Sequence, residues 1–413
     1  MEPSRLILEP WRIEEGQLLL AARLKTPGAA PQRLWWSLPE AWSDAVTPWA
    51  DPFVVAMLFP MMQGRRPVMV EGRVSPSLLR NLETYMAIWR AWVPDRYQPV
   101  AIRAAEEIEP PPPAQPAASV VPFSCGVDSC YTLLRHRRKL MGRRNRSIGA
   151  GVVMHGFDIW LDQPNASAMF AGMLESARRL LDSQGVACIP MTSNFHELPT
   201  VWGHSFAAQL VGGLRLLGGR FGSALMPNNI PYIGLGELSA SHPASNPHMG
   251  SQAFEVVDDG GESGRVEMVE LLAQWPEAKQ NLRVCFENPG SHTNCCRCEK
   301  CIRTILSFRA AGYGLPPAFS QDVTDRQIRR VRLHRDIYRV LWEQMVRDAR
   351  QRGLGDASWC QAARAALRRY ARRSMWKRFN RRFLPLRGGI RRLFRGSDLS
   401  RKQRAKRVAA ETQ

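Results

Sequence analysis

The chain has 413 residues, is 45% apolar and carries a formal charge of +20, yet eighteen Lys and Arg against only Asp398 and Glu411 fall within 361–413, so the basicity belongs to a tail. The length exceeds what one core usually fills, no opening run has signal-peptide order, and apolar stretches such as 53–62 are too short to span a bilayer. A cytoplasmic protein of several folded units is expected, and nine cysteines, four of them crowded into 295–301, suit a metal site in a reducing compartment better than a disulfide framework.

Residues 1–109 mix strand-like runs at 18–24, 68–71 and 99–102 with helical stretches at 52–62 and 76–92. The second helix opens on Ser75 and Pro76, a cap residue and a proline suited to the first helical position. Together they predict a small N-terminal α+β accessory domain. Residues 110–117 form a proline-rich linker that continues neither a helix nor a central strand. From 118 to 320, apolar runs at 118–123, 148–154, 187–191 and 223–226 alternate with helices to about 141 and over 166–183 and 205–217. That alternation predicts an α/β domain: a Rossmann-like parallel sheet with helices on both faces, whose ligands sit beyond the carboxyl ends of the strands. C-terminal helices are expected over 325–350 and 356–374 within a segment 321–374, before a basic tail at 375–413.

The strand at 118–123 runs into Phe123-Ser124-Cys125-Gly126-Val127-Asp128-Ser129, a small-residue turn with a helix starting at once. Such a turn aims backbone amides and the positive end of a helix dipole at one spot, where a phosphate fits. Ser124 and Ser129 add hydroxyl donors. Asp128 would repel phosphates unless a divalent cation lay between, so Mg²⁺ is expected. The Gly-Lys-Ser/Thr ending of the Walker loop is missing, which disfavours γ-phosphate transfer of that type. The competing structural reading is a capped helix after a strand, found in any α/β domain.

Residues 124–129 resemble the S-G-G-x-D-S signature of the PP-loop ATP pyrophosphatases, an adenine nucleotide alpha-hydrolase-like superfamily. It includes asparagine and GMP synthetases, tRNA-thiolating enzymes and the queuosine-pathway nitrile synthases. The resemblance implies a PP-loop ATPase fold in which the loop holds the β,γ-pyrophosphate of ATP. A substrate oxygen attacks the α-phosphorus, giving an adenylated intermediate and pyrophosphate. Ser124, Asp128 and Ser129 are then catalytic, and Cys125, Gly126 and Val127 complete the nucleotide site. Cys125 departs from the pattern: it stands at the first glycine, where the amide survives but a side chain enters the turn.

Other polar loops fall where later strands end. In enzymes of this resemblance the loop at 155–158 receives the adenosine, which implies Phe157 near the base and Asp158 near the ribose; a loop with a helix-starting aspartate is the alternative. His242 is a candidate acid or base, and Asn194, His196 and His204 are candidate cleft residues. Asp258, Asp259 and Glu262 suit either Mg²⁺ or a plain acidic turn.

Cys285, Cys295, Cys298 and Cys301 fall as C-x9-C-x2-C-x2-C. Each Cys-x-x-Cys turns two sulfurs toward one point, and four thiolates on Zn²⁺ leave no open position, so a structural zinc module is expected at 285–301, with Arg297, Lys300 and Arg303 offsetting its charge. An iron–sulfur cluster accepts the same thiols, and Cys296 or His292 are near enough in sequence to substitute. The block is similar to that of the queuosine-pathway nitrile synthases, while Ser241-His242-Pro243 and Asp258-Asp259-Gly260 look closer to asparagine-synthase-like proteins.

In the tail, Trp376, Phe379 and Phe383 at i, i+3 and i+7 alternate with Lys377, Arg378, Arg381 and Arg382, a helix suited to RNA or to an anionic membrane surface, with a partner helix or a plain solvated tail as the alternatives. Three functions follow. The first is an AMP-forming ligase or amidotransferase-like enzyme using ATP, Mg²⁺ and an unidentified small-molecule substrate, with ammonia, an amine or sulfur as nucleophile. The others are a tRNA- or nucleobase-modifying enzyme and an inactive, zinc-stabilised nucleotide-binding scaffold. Homo-oligomerisation and peripheral attachment to a membrane are left open.

Overall fold

The computed structural model describes residues 2–111, 118–228, 230–236, 238–285, 287 and 291–383, the last seven through their backbone only. Most of the expected linker and the tail beyond Phe383 lie outside the described residues. The first part contains β1 (Ser4–Leu8), β2 (Arg12–Glu14), β3 (Gln17–Lys25), β4 (Gln32–Pro39), α1 (Asp51–Ala56), α2 (Leu58–Gly64), β5 (Val68–Val74), α3 (Pro76–Trp92) and β6 (Ile102–Glu107). Alternation follows: β7 (Ser119–Pro122), α4 (Val127–Arg137), β8 (Ile148–His155), α5 (Ala166–Ser183), β9 (Ala187–Ser193), α6 (Trp202–Arg215), β10 (Ser223–Pro227), β11 (Glu255–Asp259), α7 (Arg265–Leu272) and α8 (Pro276–Asn281). The chain then becomes helical, with α9 (Glu299–Ala310), α10 (Asp325–Arg330), α11 (Asp336–Gln351) and α12 (Ser358–Phe383). The expected helix over 325–350 is broken at 331–335, where Val331 and Leu333 turn inward.

Strands β7 to β11 are parallel, in the order β9-β8-β7-β10-β11. The chain steps outward from β7 to β9, then crosses back to β10 on the other side of β7. The order therefore reverses between β7 and β10, where open α/β sheets leave a crevice beyond the strand ends. β8 is buried along nearly its whole length, as expected of a strand covered on both faces.

The expected all-parallel sheet is only part of the assembly. β4 pairs antiparallel with β9, Trp36 opposite Ser193 and Ser37 opposite Thr192. Beyond β4 lie β3, β1, β5 and β6, so one mixed sheet of eleven strands runs through both parts of the chain. An uncovered β9 edge would present a row of unpaired backbone groups, and side chains reinforce its cover. Asn194 Oδ1 accepts from the Trp35 amide at 2.9 Å, its Nδ2 donates to the Arg33 carbonyl at 3.0 Å, and Ser193 Oγ donates to the Trp35 carbonyl at 2.7 Å. Asn194, expected near the cleft, is a seam residue.

One face of the sheet packs α1, α3 and α6 around Trp36, Phe53, Phe59 and Trp89. The other packs α4, α5, α7, α9 and α11. α6 crosses α1 closely because position 212 is glycine: a β-carbon there would lie 2.7 Å from Ala56 Cβ and from the Pro52 carbonyl. Nearby, Arg215 pairs with Asp51 at 2.6 Å in full burial. Asp51 also accepts from the Ser75 amide and hydroxyl, so the Ser75 side chain serves this buried pair and makes no cap bond to α3.

Candidate functional site

The turn between β7 and α4 stands at the reversal of strand order. Cys125 has φ +59°, a left-handed conformation that explains the glycine expected there. The turn aims its thiol away from the mouth: Cys125 is fully buried and its Sγ lies 3.8 Å from the Met173 carbonyl on α5. Burial pushes that thiol up to about 12, so it is an inert core group. The side chain expected to enter the turn leaves it instead.

What remains in the turn is polar. Ser124 Oγ accepts from the Gly126 amide at 3.3 Å and lies 3.4 Å from Ser129 Oγ, which donates to the Gly126 carbonyl at 3.2 Å. The first amides of α4 have no partner within the helix. α4 is held in place by Asp259 at the end of β11, which accepts from Thr132 at 2.6 Å, from Arg135 Nε at 2.9 Å and from His136 at 3.0 Å. Burial alone would raise the Asp259 carboxyl, but the bonds from His136 and Arg135 hold it at about 2. Glu262 pairs with Arg135 and Arg144. These two acids therefore form a structural network, as the acidic-turn alternative expected.

Several cations converge on the turn, and sequence reasoning missed two of them. The Arg283 amide donates to the Cys125 carbonyl at 2.9 Å, and its guanidinium stands 3.9 Å from Asp158. Arg265, the first residue of α7, pairs with Asp128 at 3.0 Å, so an arginine stands where a divalent cation was expected. Lys300, foreseen only as a counter-charge to zinc, feels both Asp158 and Asp128; burial pulls its ammonium down to about 8 while those carboxylates oppose the change. Arg303 is bound by Glu299 at 2.7 Å. The structure thus brings Ser124, Asp128, Ser129 and Asp158 together. Arg265 and Arg283 left no local signal, because both come from distant segments.

Phe157 and His242 are placed differently from expectation. The Phe157 ring is buried against Phe195 at 4.3 Å and Trp202 at 5.3 Å, so it belongs to the core. His242 is buried too. Its Nδ1 accepts from the Ala244 amide at 3.0 Å, which leaves Nε2 to donate to the Leu235 carbonyl, also at 3.0 Å. With both nitrogens engaged by backbone it has no position free for proton transfer. His204 bonds Tyr97 at 2.9 Å, and His196 bonds the Phe157 carbonyl at 2.9 Å between Trp160 and Trp202. Among the described residues, three buried groups near strand ends lack partners: His155 Nε2, its ring stacked on Phe170, Asn228 Nδ2 and Asp258 Oδ2. Burial raises the Asp258 carboxyl to about 7, against a bond from Asn246.

The cysteines assemble as their spacing predicts. The sulfurs of Cys285, Cys295, Cys298 and Cys301 all lie within 4.8 Å of one another. Cys295 and Cys301 are 3.9 Å apart, as are Cys285 and Cys298. Four thiolates at 2.3 Å from one tetrahedral Zn²⁺ would be about 3.8 Å apart, so the set fits a single ion; a cubane cluster would need a wider one. Amides of Glu287, Cys298 and Cys301 point at the sulfurs of Cys285, Cys295 and Cys298, at 3.3, 3.3 and 3.5 Å. Asn294 braces the set by accepting from the Val284 amide and donating to the Leu282 and Ala318 carbonyls. Cys296, at φ +56°, turns its thiol toward the Asn294 carbonyl and Ser320. His292 packs where a Gly172 side chain would stand. Neither substitutes for a ligand.

Beside this module lies a cavity of about 740 Å³ bounded by α9, α10 and the start of α11. Comparisons of the chain with protein-family models, curated proteins and solved structures give no significant match.

Proposed function

We propose that the chain is an ATP-dependent, AMP-forming enzyme of the PP-loop pyrophosphatase type. In this reading the turn at 124–129 receives the pyrophosphate portion of ATP, and a carboxyl, amide or carbonyl oxygen of a small molecule is adenylated at the α-phosphorus. What supports it most is one arrangement: a turn at the reversal of strand order, lined by amides and two hydroxyls, with the Cys125 thiol directed out of it and cations around it.

The residues divide by role. The amides of 126–129 with Ser124 and Ser129 Oγ bind the departing pyrophosphate oxygens, where charge develops. Lys300 and Arg283 add positive charge, and Asp158 orients Arg283 and accepts a ribose hydroxyl. Mg²⁺ would neutralise phosphate charge, and Asp128 is the residue to hold it, exchanging part of its ion pair with Arg265. The cysteine module carries a structural zinc and, through Lys300 between two of its ligands, fixes a cation at the turn. His242 and Phe157 have no part in the step.

Titration calorimetry with MgATP tests the binding half. Ser129→Ala and Lys300→Ala should each weaken binding at least tenfold while the metal content stays unchanged. Affinity equal to that of the unsubstituted chain in both variants would contradict the assignment.

A further inference from the structure

The cavity beside the cysteine module is lined by Arg297, Lys300, Arg326, Arg330, Arg332 and Arg335. None of the five arginines forms an ion pair with a described carboxylate. Of the two acids in the lining, Glu299 is already bound by Arg303 and by Trp342 Nε1 at 2.7 Å, and Glu287 is exposed. Even with Arg297 and Lys300 set against the thiolates, Arg326, Arg330, Arg332 and Arg335 remain around one concavity and repel each other, a cost that an anionic ligand would remove.

The local sequence produces this arrangement. Thr324 and Gln327 form a capping box that starts α10 and brings Arg326 and Arg330 to the rim. After α10, burial alternates: Val331 and Leu333 go into the core, which throws Arg332 and His334 outward into the cavity. Positions two apart on such a segment are about 6.6 Å apart, on the order of the spacing between successive phosphates of an extended strand. His334 and Tyr338 add rings to the lining.

The charge also runs past the cavity. Arg369 on α12 binds the carbonyls of Arg329 and Val331, the latter at 2.5 Å, so α12 is tied to the same rim. From 361 to 376 that helix has no acidic residue, and Arg368, Arg372 and Arg373 are exposed. A lone phosphate or carboxylate uses one or two arginines; this band matches a chain of phosphates with bases to stack.

We infer that the cavity and the adjoining face of α12 bind the phosphodiester backbone of a single-stranded RNA segment. Binding requires no nucleotide, so it stands or falls apart from the ATP reading. The test uses the full chain and a fluorescein-labelled, mixed-sequence, single-stranded RNA, followed by anisotropy over a range of salt concentrations. The unsubstituted chain should bind with a steep salt dependence. Arg330→Glu combined with Arg332→Glu should lower affinity at least tenfold and reduce the log–log salt slope by about 1.4, at roughly 0.7 per phosphate contact. Thermal melting and metal content should match the unsubstituted chain, since both side chains are exposed. Unchanged affinity in that variant would place any RNA binding elsewhere, in the tail, and overturn the inference. So would equal competition by tripolyphosphate, which would make this a small-anion site, or by vesicles of anionic lipid, which would make it a membrane contact.

Discussion

Cys125 adopts a backbone conformation that costs a residue with a β-carbon about 1–2 kcal/mol, and its thiol is turned into the core at the Met173 carbonyl. Glycine at 125 would relieve the strain and leave the turn's polar face unaltered. Cys125→Gly should therefore change MgATP affinity by less than about threefold. A gain of a hundredfold in calorimetry would show that the cysteine does obstruct the turn. Asp258 gives the fold a pH dependence. Its carboxyl is raised from 3.8 to about 7 by burial, so the folded chain binds a proton more tightly than the unfolded one, and stability present below pH 4 is lost as pH rises toward 7. Asp258→Asn should flatten that slope and stabilise the protein at pH 7 relative to the unsubstituted chain. Urea melts between pH 4 and 7 measure it, and parallel curves would refute the burial argument.

At the scale of elements, the cysteine module joins the loop after α8 to the start of α9, where Cys298 is the N-cap residue and its sulfur accepts from the Cys301 amide. Losing one thiolate removes a ligand and loosens that helix start. With zinc as the proposed ion, Cys298→Ser should lower the zinc content and the melting temperature; full zinc occupancy by atomic absorption would contradict a four-cysteine site. Because α9 also carries Lys300 and Arg303, the loss should reach the turn at 124–129. The module was legible in the sequence because ligand spacing within a few residues is nearly sufficient to bring sulfurs together. The turn was legible for the same reason. Arg265, Arg283 and the arginines of the cavity were not: their meeting is a tertiary event, and exposed arginines read alike wherever they stand. His242 shows the opposite failure, since a polar loop suggested an open histidine and the backbone of that same loop consumes both its nitrogens.

At the scale of the molecule, one mixed sheet carries both halves of the chain. Composition could not reveal this seam: Ser193 and Asn194 read as a polar strand end, whereas they bind the backbone of β4. The halves are locked again by the Arg215–Asp51 pair between α6 and α1, where Asp51→Ala would strand a buried guanidinium. A loss of about 3–5 kcal/mol is expected in urea unfolding, and a loss below 1 kcal/mol would mean that the Met249 and Phe254 carbonyls suffice for Arg215. The sheet places the turn at its reversal of order, and Arg265 of α7 and Lys300 of α9 stand beside it. Among the described residues no helix is long and apolar enough to cross a membrane. On the proposed reading, this turn releases pyrophosphate from ATP. The decisive measurement incubates the full chain with ATP labelled at the α-phosphorus, Mg²⁺ and a pool of cell metabolites. Labelled AMP, lost in Asp128→Ala, is the predicted product; ADP as sole product, or AMP formed equally well by that variant, would contradict it.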